Sequence, residues 1–402
     1  MKIGILHEGK TPPDKRVPLT PEHCVEVQEK FPDVEIIVQP SPVRCFKDEE
    51  YSRLGIQLNE DVSECDILLG VKEVRVEDFI PGKIYLFFSH TIKKQTYNRK
   101  LLQTVLEKNI QLVDYETLTD KEGFRIIGFG RFAGLVGAYS GLRAFGLRNK
   151  LFNIKPAHLC NNLEEIFSIL DTIKLPPVKI AVTGDGRVAG GVLEILGHMK
   201  IMRVSPGEYV KGTKIQQPVF VQLLPQNYVK RKDGKCPELM HFFNYPEMYE
   251  NAFLPFAKVT DILIAAAYWD PKAPVLFTAG DMKAPDFKIK VISDITCDIE
   301  GSIPATKKAA TIDDPFYDYN PETGKLEPAF SSENNVTVQA VDNLPCELPK
   351  DASLDFGRNL IDKVFPSLLG EDNDKIIERA SITKNGKLTG RFSYLQDFAG
   401  GQ

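Results

Sequence analysis

Short apolar runs alternate with longer stretches of helical spacing through the first third of the chain. Runs at residues 2–6, 34–38, 65–69, 84–88 and 110–113 have the length of buried strands. Strands that alternate with helices predict a parallel sheet with helices on both faces. Because ligands bind outside the carboxyl ends of such strands, polar residues that directly follow these runs are candidates for a functional site.

A second series of apolar runs begins at residue 178. Residues 178–182 break into Gly184-Asp185-Gly186, and apolar residues then recur at helical spacing. A strand, a glycine turn and a helix N-terminus in this order favour the binding of a dinucleotide pyrophosphate; an ordinary tight turn is the alternative. The candidate cofactor contacts are Gly184, Asp185, Gly186, Arg187, Val188 and Ala189.

The glycine-rich segment 128–149 separates the two series. It predicts a helix whose small residues allow close packing against another element, and Gly190 and Gly191 are expected to give room for packing on the preceding strand. We place the domain boundary here. Residues 1–135 and 350–402 are predicted to form a substrate domain, and residues 136–349 a dinucleotide-binding domain. Residues 205–258 are polar and aromatic and predict an irregular insertion. The small residues of the helix are Gly134, Gly137, Ala138 and Gly141.

The composition predicts a globular, cytoplasmic protein. The chain has 402 residues, 43% hydrophobic and 26% charged, and a formal net charge of −5, which gives no reason to expect a nucleic acid or an anionic membrane as partner. No apolar run reaches the roughly 18 residues of a membrane helix, and the first residues resemble neither a signal nor a transit peptide. Seven cysteines without a C-x-x-C pair and six scattered histidines predict neither a disulfide framework nor a metal site.

Two residues that follow strand-like runs have side chains suited to proton transfer. Lys72 follows residues 65–69 and His90 follows residues 84–88. A partly buried lysine can titrate near neutral pH, and histidine does so without help. A pair with different intrinsic pKa values suits a reaction with two proton transfers, whereas a solvated lysine and a structural histidine are the alternatives.

Other polar residues at strand ends are candidates for binding. Arg16 and Arg125 are candidate carboxylate clamps, because a guanidinium matches a carboxylate in bidentate fashion; a salt bridge is the alternative. Lys93 contacts an acidic substrate or belongs to a solvated lysine pair. Asp298 faces the site or caps a loop, and Tyr268 packs in the core or lines a cofactor ring.

Several motifs together resemble a known superfamily. HEGKTPPDKRVPLTPE, LLGVKE, FFSH and the glycine turn are similar to alanine dehydrogenases, transhydrogenase subunits and saccharopine dehydrogenases. VDYETLTDKEGFRIIGFGRFAGLVGA, ISDITCDIEGSI and AVDNLPCELP narrow the resemblance to the lysine–2-oxoglutarate reductase domain and, less closely, to lysine-forming saccharopine dehydrogenase.

The resemblance implies an α/β fold of two Rossmann-like parallel-sheet domains with the active site in the cleft between them. It also implies the reductive condensation of the lysine ε-amine with 2-oxoglutarate to saccharopine, or the reverse. Lys72 and His90 would be the acid–base pair, with Glu73 and Glu116 tuning Lys72. Arg16, Lys93 and Arg125 would bind substrate carboxylates, and Asp298 would lie on the nicotinamide side.

The choice between NAD and NADP depends on the strand after the glycine helix. A fold that binds NAD ends this strand with an acid that holds the ribose 2′-hydroxyl. Residues 201–204 instead end in Ser205, and Glu208 comes late. This departure favours NADP, with a 2′-phosphate near Ser205, Lys211 or Lys214.

Two other functions fit the same residues. An amino-acid dehydrogenase of the alanine dehydrogenase type would share Lys72 and His90, and a non-catalytic NAD(P)-binding protein would share the glycine turn. Amino acids and keto acids are the expected partners of an enzyme of this kind. The sequence leaves a homo-oligomer possible.

Overall fold

The computed structural model describes residues 1–9, 11, 14–211 and 215–401. The chain divides into two compact units, of which the first is discontinuous. The first unit comprises Met1–Phe129 and Pro349–Gln402, and the second comprises Gly130–Leu348.

The first unit is an eight-stranded sheet with helices on both faces. Its strands are β1 (Lys2–Ile5), β2 (Glu35–Val38), β3 (Gln57–Leu58), β4 (Ile67–Leu69), β5 (Ile84–Phe87), β6 (Gln111–Asp114), β17 (Ser381–Lys384) and β18 (Lys387–Leu388). Its helices are α1 (Pro21–Lys30), α2 (Asp48–Arg53), α3 (Arg99–Glu107), α11 (Pro349–Lys363), α12 (Phe365–Leu369), α13 (Ile376–Ala380) and α14 (Gln396–Gly400).

The hydrophobic pattern of the strands explains the two layers of helices. Within β4, Ile67 and Leu69 pack in one core and Leu68 packs in the other, because successive side chains of a strand point to opposite faces. The helix after β1 begins as its sequence predicts: Pro21 is its first residue, and the Thr20 hydroxyl accepts the N–H of His23 at 3.3 Å.

The strand order places β1 and β4 side by side in the middle of the sheet. The order is β18-β17-β6-β5-β4-β1-β2-β3, and all pairs from β6 to β3 are parallel. The chain leaves β1 toward β2 on one side and later returns to β4 on the other. The carboxyl ends of β1 and β4 therefore form the topological switch point, where open parallel sheets bind ligands.

The second unit contains another eight-stranded sheet and a separate two-stranded ribbon. Its strands are β7 (Lys179–Thr183), β8 (Met202–Arg203), β9 (Val219–Leu223), β10 (Val229–Arg231), β11 (Tyr249–Asn251), β12 (Ile262–Ala265), β13 (Val291–Asp294), β14 (Phe316–Tyr319), β15 (Leu326–Glu327) and β16 (Val336–Gln339). Its helices are α4 (Gly130–Arg148), α5 (Leu163–Leu170), α6 (Arg187–His198), α7 (Pro206–Val210), α8 (Pro225–Tyr228), α9 (Leu239–Asn244) and α10 (Leu254–Ala257).

The strand next to the glycine turn differs from the one that the sequence predicts. The sheet order is β15-β14-β16-β13-β12-β7-β9-β8, so β9 pairs with β7 over five residues and β8 lies at the edge. The prediction of irregular structure over residues 205–258 is therefore wrong for residues 219–223. Their apolar run VFVQL is a buried central strand, and the sequence pattern of its polar surroundings concealed it.

The glycine-rich helix packs closely, as its small residues predict. A Cβ at Gly134 would overlap the backbone of Val188 in α6, and a Cβ at Gly191 would overlap the backbone of Arg131 in α4. Gly191 thus allows close contact between the two helices, and Gly190 faces open space. The expectation that both give room for packing on the preceding strand is therefore wrong. A bidentate pair joins the same helices, with Arg131 Nη2 2.6 Å from Glu194 Oε1.

Candidate active site and cofactor site

Lys72 lies at the switch point of the first sheet, three residues after the end of β4. The carboxylate of Glu8, just beyond β1, accepts the N–H of Val71 at 2.6 Å and the N–H of Lys72 at 2.9 Å. Lys72 is half-buried. Burial, reinforced by the nearby Asp14 carboxylate, raises the pKa of Glu8 to about 8.

His90 follows β5 in a left-handed backbone conformation, with φ of 54°. This conformation is rare for a residue with a Cβ and is typical of functional positions. The ring lies between two carboxylates: Nδ1 is 3.3 Å from Glu116 Oε2, and Nε2 is 3.7 Å from Glu73 Oε1. It also stacks on Phe88, with ring centroids 6.3 Å apart. The structure therefore places both predicted tuning carboxylates beside His90.

Glu116 joins His90 to two cations. Its Oε1 lies 3.1 Å from Arg125 Nη2 and 3.6 Å from Lys93 Nζ. Burial alone would raise the pKa of Glu116, but the hydrogen bond with His90 and the charges of Lys93 and Arg125 together lower it to about 2. The carboxylate is therefore ionised at neutral pH. Lys93 and Arg125, two of the three predicted carboxylate binders, are turned toward it.

A buried network fixes the turn that carries His90. Asp114, the last residue of β6, accepts the N–H of Ser89 at 3.1 Å and the N–H of Glu116 at 2.7 Å. The Ser89 hydroxyl also bonds Asp114 and lies 2.8 Å from the Thr91 hydroxyl. One carboxylate thus positions both His90 and its partner Glu116.

Arg16 is buried and forms a salt bridge with Asp14, a residue of its own loop. Its Nε and Nη2 bond the two carboxylate oxygens of Asp14 at 3.0 and 2.6 Å, and its guanidinium lies 4.0 Å from the centroid of the Phe129 ring. Desolvation and a bidentate partner hold this guanidinium in one orientation. Binding of a substrate carboxylate by Arg16 stays a prediction.

The glycine turn of the second unit has the backbone geometry that a phosphate site requires. Gly184 has φ of 94°, its N–H donates to Leu223 O at 2.8 Å, and its carbonyl accepts from Gln222 Nε2 at 2.9 Å. Gly186 is the N-cap of α6; no side chain among the described residues caps that N-terminus, and a Cβ at Gly186 would meet open space. The turn thus has room for a phosphate beside the N–H groups of a twelve-residue helix, which fits a dinucleotide.

The other predicted residues of the turn divide into two groups. Asp185, Gly186 and Arg187 are exposed, whereas the Ala189 side chain is fully buried. The backbone of Val188 lies against α4 at Gly134. Val188 and Ala189 therefore contribute to helix packing. Any contact that Ala189 makes with a cofactor must come from the backbone, whereas the half-buried side chain of Val188 is still partly accessible.

Ser205 follows the edge strand β8 and not the strand beside β7. Its hydroxyl bonds Glu208 Oε2 at 2.6 Å and accepts the Glu208 N–H, which caps α7. The premise that residues 201–204 end beside the glycine turn is wrong, because β9 lies between. Lys214, the other cation predicted near a 2′-phosphate with Lys211, lies outside the described residues.

Tyr268 and Asp298 lie after β12 and β13, at the carboxyl edge of the second sheet. Tyr268 is 85% exposed and lines a small cavity with Thr183 and Trp269. Asp298 is also exposed, in a turn where its carbonyl accepts the N–H of Gly301 at 2.9 Å. Tyr268 thus lines a cavity and does not pack in the core.

Sequence reasoning missed three carboxylates: Glu8, Asp14 and Asp114. Glu8 and Asp114 stand at the carboxyl ends of β1 and β6, so the strand-end rule that selected Lys72 and His90 would also have selected them. Asp14 stands in the same loop as Arg16, where spacing alone does not indicate a pair.

The comparisons with known proteins first define a class. Residues 4–136 match the family model described as "Alanine dehydrogenase/PNT, N-terminal domain". The whole chain has the fold of L-alanine dehydrogenase, with a TM-score of 0.64 and 14% identity over 99% of this chain and all of the other. It is also similar to the transhydrogenase from Sinorhizobium meliloti, with a TM-score of 0.58 and 14% identity over 97% and 99% of the two chains.

Sequence relatives narrow the class, as the motifs predicted. The chain is 30% identical to the mitochondrial alpha-aminoadipic semialdehyde synthase of Mus musculus, over 95% of this chain and 46% of the relative. For the Arabidopsis thaliana synthase the identity is 29%, over 98% and 41%. It is 25% identical to saccharopine dehydrogenase (NAD(+), L-lysine-forming) of Emericella nidulans, over 96% and 97%. The chain thus spans less than half the length of the synthases, and its homologues are these two groups of proteins.

The comparisons leave its location in the cell open. No helix within the described part of the chain has the length and apolar character needed to cross a membrane.

Proposed function

We propose that this chain catalyses the NAD(P)-dependent interconversion of lysine plus 2-oxoglutarate and saccharopine. The observation that carries the proposal is that Lys72 and a carboxylate-flanked His90 follow the adjacent strands β4 and β5, in a chain with these homologues. A cytoplasmic location is part of the proposal.

The reaction requires proton transfers at two atoms. Condensation of an amine with a keto group passes through a carbinolamine whose hydroxyl leaves as water. We assign protonation of that hydroxyl to His90, because imidazole is the side chain most often used for proton transfer and a carboxylate beside each ring nitrogen orients the ring. We assign proton transfer at the bridging nitrogen to Lys72. When bound, the reduced nicotinamide supplies the hydride that converts the imine to a secondary amine.

Charge complementarity supports the substrate class. Saccharopine carries three carboxylates, and the first unit offers Lys93 and Arg125 beside Glu116, with Arg16 buried nearby in the same unit. A substrate carboxylate that engages Lys93 or Arg125 replaces part of their pairing with Glu116. Such an exchange leaves each cation paired with a carboxylate both with and without bound substrate.

We infer that NADP is the preferred cofactor. The strand that adjoins β7 is β9, and it is followed by Leu224, Pro225 and Gln226, so no carboxylate stands where it would hold a ribose 2′-hydroxyl. The printed name of the Emericella relative specifies NAD(+), and this chain is proposed to differ from it. Gly184, Gly186 and the N-terminus of α6 would hold the pyrophosphate.

The test is an absorbance assay of nicotinamide oxidation with lysine plus 2-oxoglutarate, with NADH and NADPH compared in parallel. Turnover on this pair, faster with NADPH, is the expected result. Pyruvate plus ammonia in the same assay tests the alanine dehydrogenase alternative. Cofactor binding without turnover on any pair would contradict the catalytic proposal.

Variants assign the roles. His90→Ala and Lys72→Ala are expected to lower kcat by about 10²–10⁴-fold with little change in cofactor affinity, as for loss of an acid–base group. Lys93→Ala is expected to raise the KM of the keto acid. Lys94→Ala is its matched control, because Lys94 lies against the Tyr394 ring, 5.2 Å from its centroid.

A further inference from the structure

The side chain of Glu8 continues the hydrogen bonding of the first sheet beyond its last strand residues. Leu6 N–H donates to Leu69 O at 2.9 Å, which closes the backbone pairing of β1 with β4. The next N–H groups of the β4 chain, those of Val71 and Lys72, have no backbone partner on β1 and donate to the two oxygens of the Glu8 carboxylate. One side chain therefore determines the backbone path of the residues that carry Lys72.

The other side of this turn is also fixed. Val71 O accepts the N–H of Phe88 at 3.0 Å, two residues before His90. The segment is thus held by β5 through a backbone carbonyl and by Glu8 through two backbone N–H groups. Since Val71 is fully buried, its position leaves little freedom for the Cα of Lys72.

A carboxylate is an expensive group for a purely structural acceptor at this place. Glu8 is half-buried near a second carboxylate, Asp14, which is buried and paired with Arg16. An unstrained backbone carbonyl would accept an N–H without that cost. Carboxyl groups whose pKa is raised strongly by burial and by a neighbouring carboxylate concentrate at functional sites.

We propose that Glu8 is a positioning residue for Lys72, and that its carboxylate fixes the direction in which the Lys72 side chain leaves the sheet. Glu8 acts through the backbone and does not touch the substrate. The proposal deepens the proposed function and rests on it for the role of Lys72, whereas the hydrogen bonds themselves can be tested without turnover.

Glu8→Gln is the sharpest perturbation, because the amide keeps the size of the side chain but offers one acceptor oxygen for two N–H donors. Asp318→Asn is the matched control: Asp318 is a buried carboxyl that also accepts a backbone N–H, from Ser331 at 3.0 Å, but in β14 of the other unit. If Glu8→Gln does not fold, Glu8→Asp serves instead, since its shorter carboxylate cannot span both donors.

Three readouts decide the outcome. Amide hydrogen exchange at Val71 and Lys72 is expected to accelerate about tenfold in Glu8→Gln and to stay unchanged in Asp318→Asn. NMR titration of isotope-labelled lysine is expected to show a shifted Lys72 pKa in Glu8→Gln alone. With lysine and 2-oxoglutarate, kcat is expected to fall about tenfold and its pH profile to move, while KM changes little.

Unchanged exchange at the two amides would overturn the proposal. Faster exchange would also overturn it if the Lys72 titration, kcat and pH profile of Glu8→Gln matched those of Asp318→Asn. Glu8 would then be a merely structural acceptor. If the wild-type protein turns over no substrate, the proposed function fails, and exchange together with the Lys72 titration still decides the role of Glu8.

Discussion

Replacing Glu116 with glutamine is expected to remove a pH-dependent part of the stability of the first unit. Glutamine resembles a protonated glutamic acid, so the variant keeps the volume of the side chain and loses its charge. The pKa of Glu116 falls from 4.5 in a free side chain to about 2 in the fold, and this difference corresponds to roughly 3 kcal/mol of unfolding free energy at pH 7. With the side chain only 13% exposed, solvent screens little of this energy.

The sign of the pH dependence follows from the depressed pKa. A carboxylate whose pKa is lower in the folded state stabilises the fold above its unfolded pKa, and this stabilisation is lost as pH falls toward the folded value. The difference between wild type and Glu116→Gln should therefore be constant above about pH 5.5. It should shrink to about 1.4 kcal/mol near pH 3.

Urea unfolding at pH 7 and about pH 3, followed by circular dichroism, measures this difference. Glu49→Gln is the control, because Glu49 is an exposed acid of α2, and its replacement should change the free energy by less than about 0.5 kcal/mol. A Glu116→Gln effect that is the same at both pH values, or below about 1 kcal/mol at pH 7, would refute the reasoning that Lys93, Arg125 and His90 stabilise the ionised carboxylate.

Three further changes test the packing, the glycine turn and a surface ion pair. Gly134→Ala should lower the unfolding free energy by about 3 kcal/mol, since the new methyl overlaps α6, whereas Gly190→Ala, with open space around it, should raise it by about 0.5 kcal/mol; thermal unfolding compares the two. Gly184→Ala should weaken NADP(H) binding at least about tenfold in calorimetric titration, because φ of 94° strains any residue with a Cβ. Arg358→Ala, which breaks a bidentate pair with Glu26 between α11 and α1, should cost no more than about 1 kcal/mol, and less in high salt.

Local rules selected the residues of the candidate site, but they did not predict the order of the strands. Lys72, His90 and Glu116 were found because a buried strand, its end and the polar residue after it are neighbours in sequence. The ion pairs among them were not predictable, because Glu73 and Glu116 reach His90 from two different strands. Both carboxylates were expected to act on Lys72, whereas the structure places them beside the His90 ring.

The order of strands in the second sheet depends on contacts between distant parts of the chain. The spacing of apolar residues therefore does not predict it. The run at residues 219–223 is as apolar as the predicted strands, but it stands among polar and aromatic residues that suggested an insertion. Chain order also suggested that β8 would adjoin β7, and the structure places it one strand further out. Residues 201–204 therefore do not end beside the glycine turn, and β9, which adjoins β7, is not directly followed by an acid either.

The discontinuity of the first unit dictates the order in which a ribosome-bound chain can fold. β17 pairs with β6 across the sheet, and the Thr383 hydroxyl accepts the N–H of Leu112 from 271 residues away. Val17, near the start, likewise donates to Ser353 in α11. The second unit contains all of its own strands in one stretch, so it can close while the first still lacks its last strands and helices. The unit that contains residues 1–129 can therefore be completed only after all of the second unit has been made.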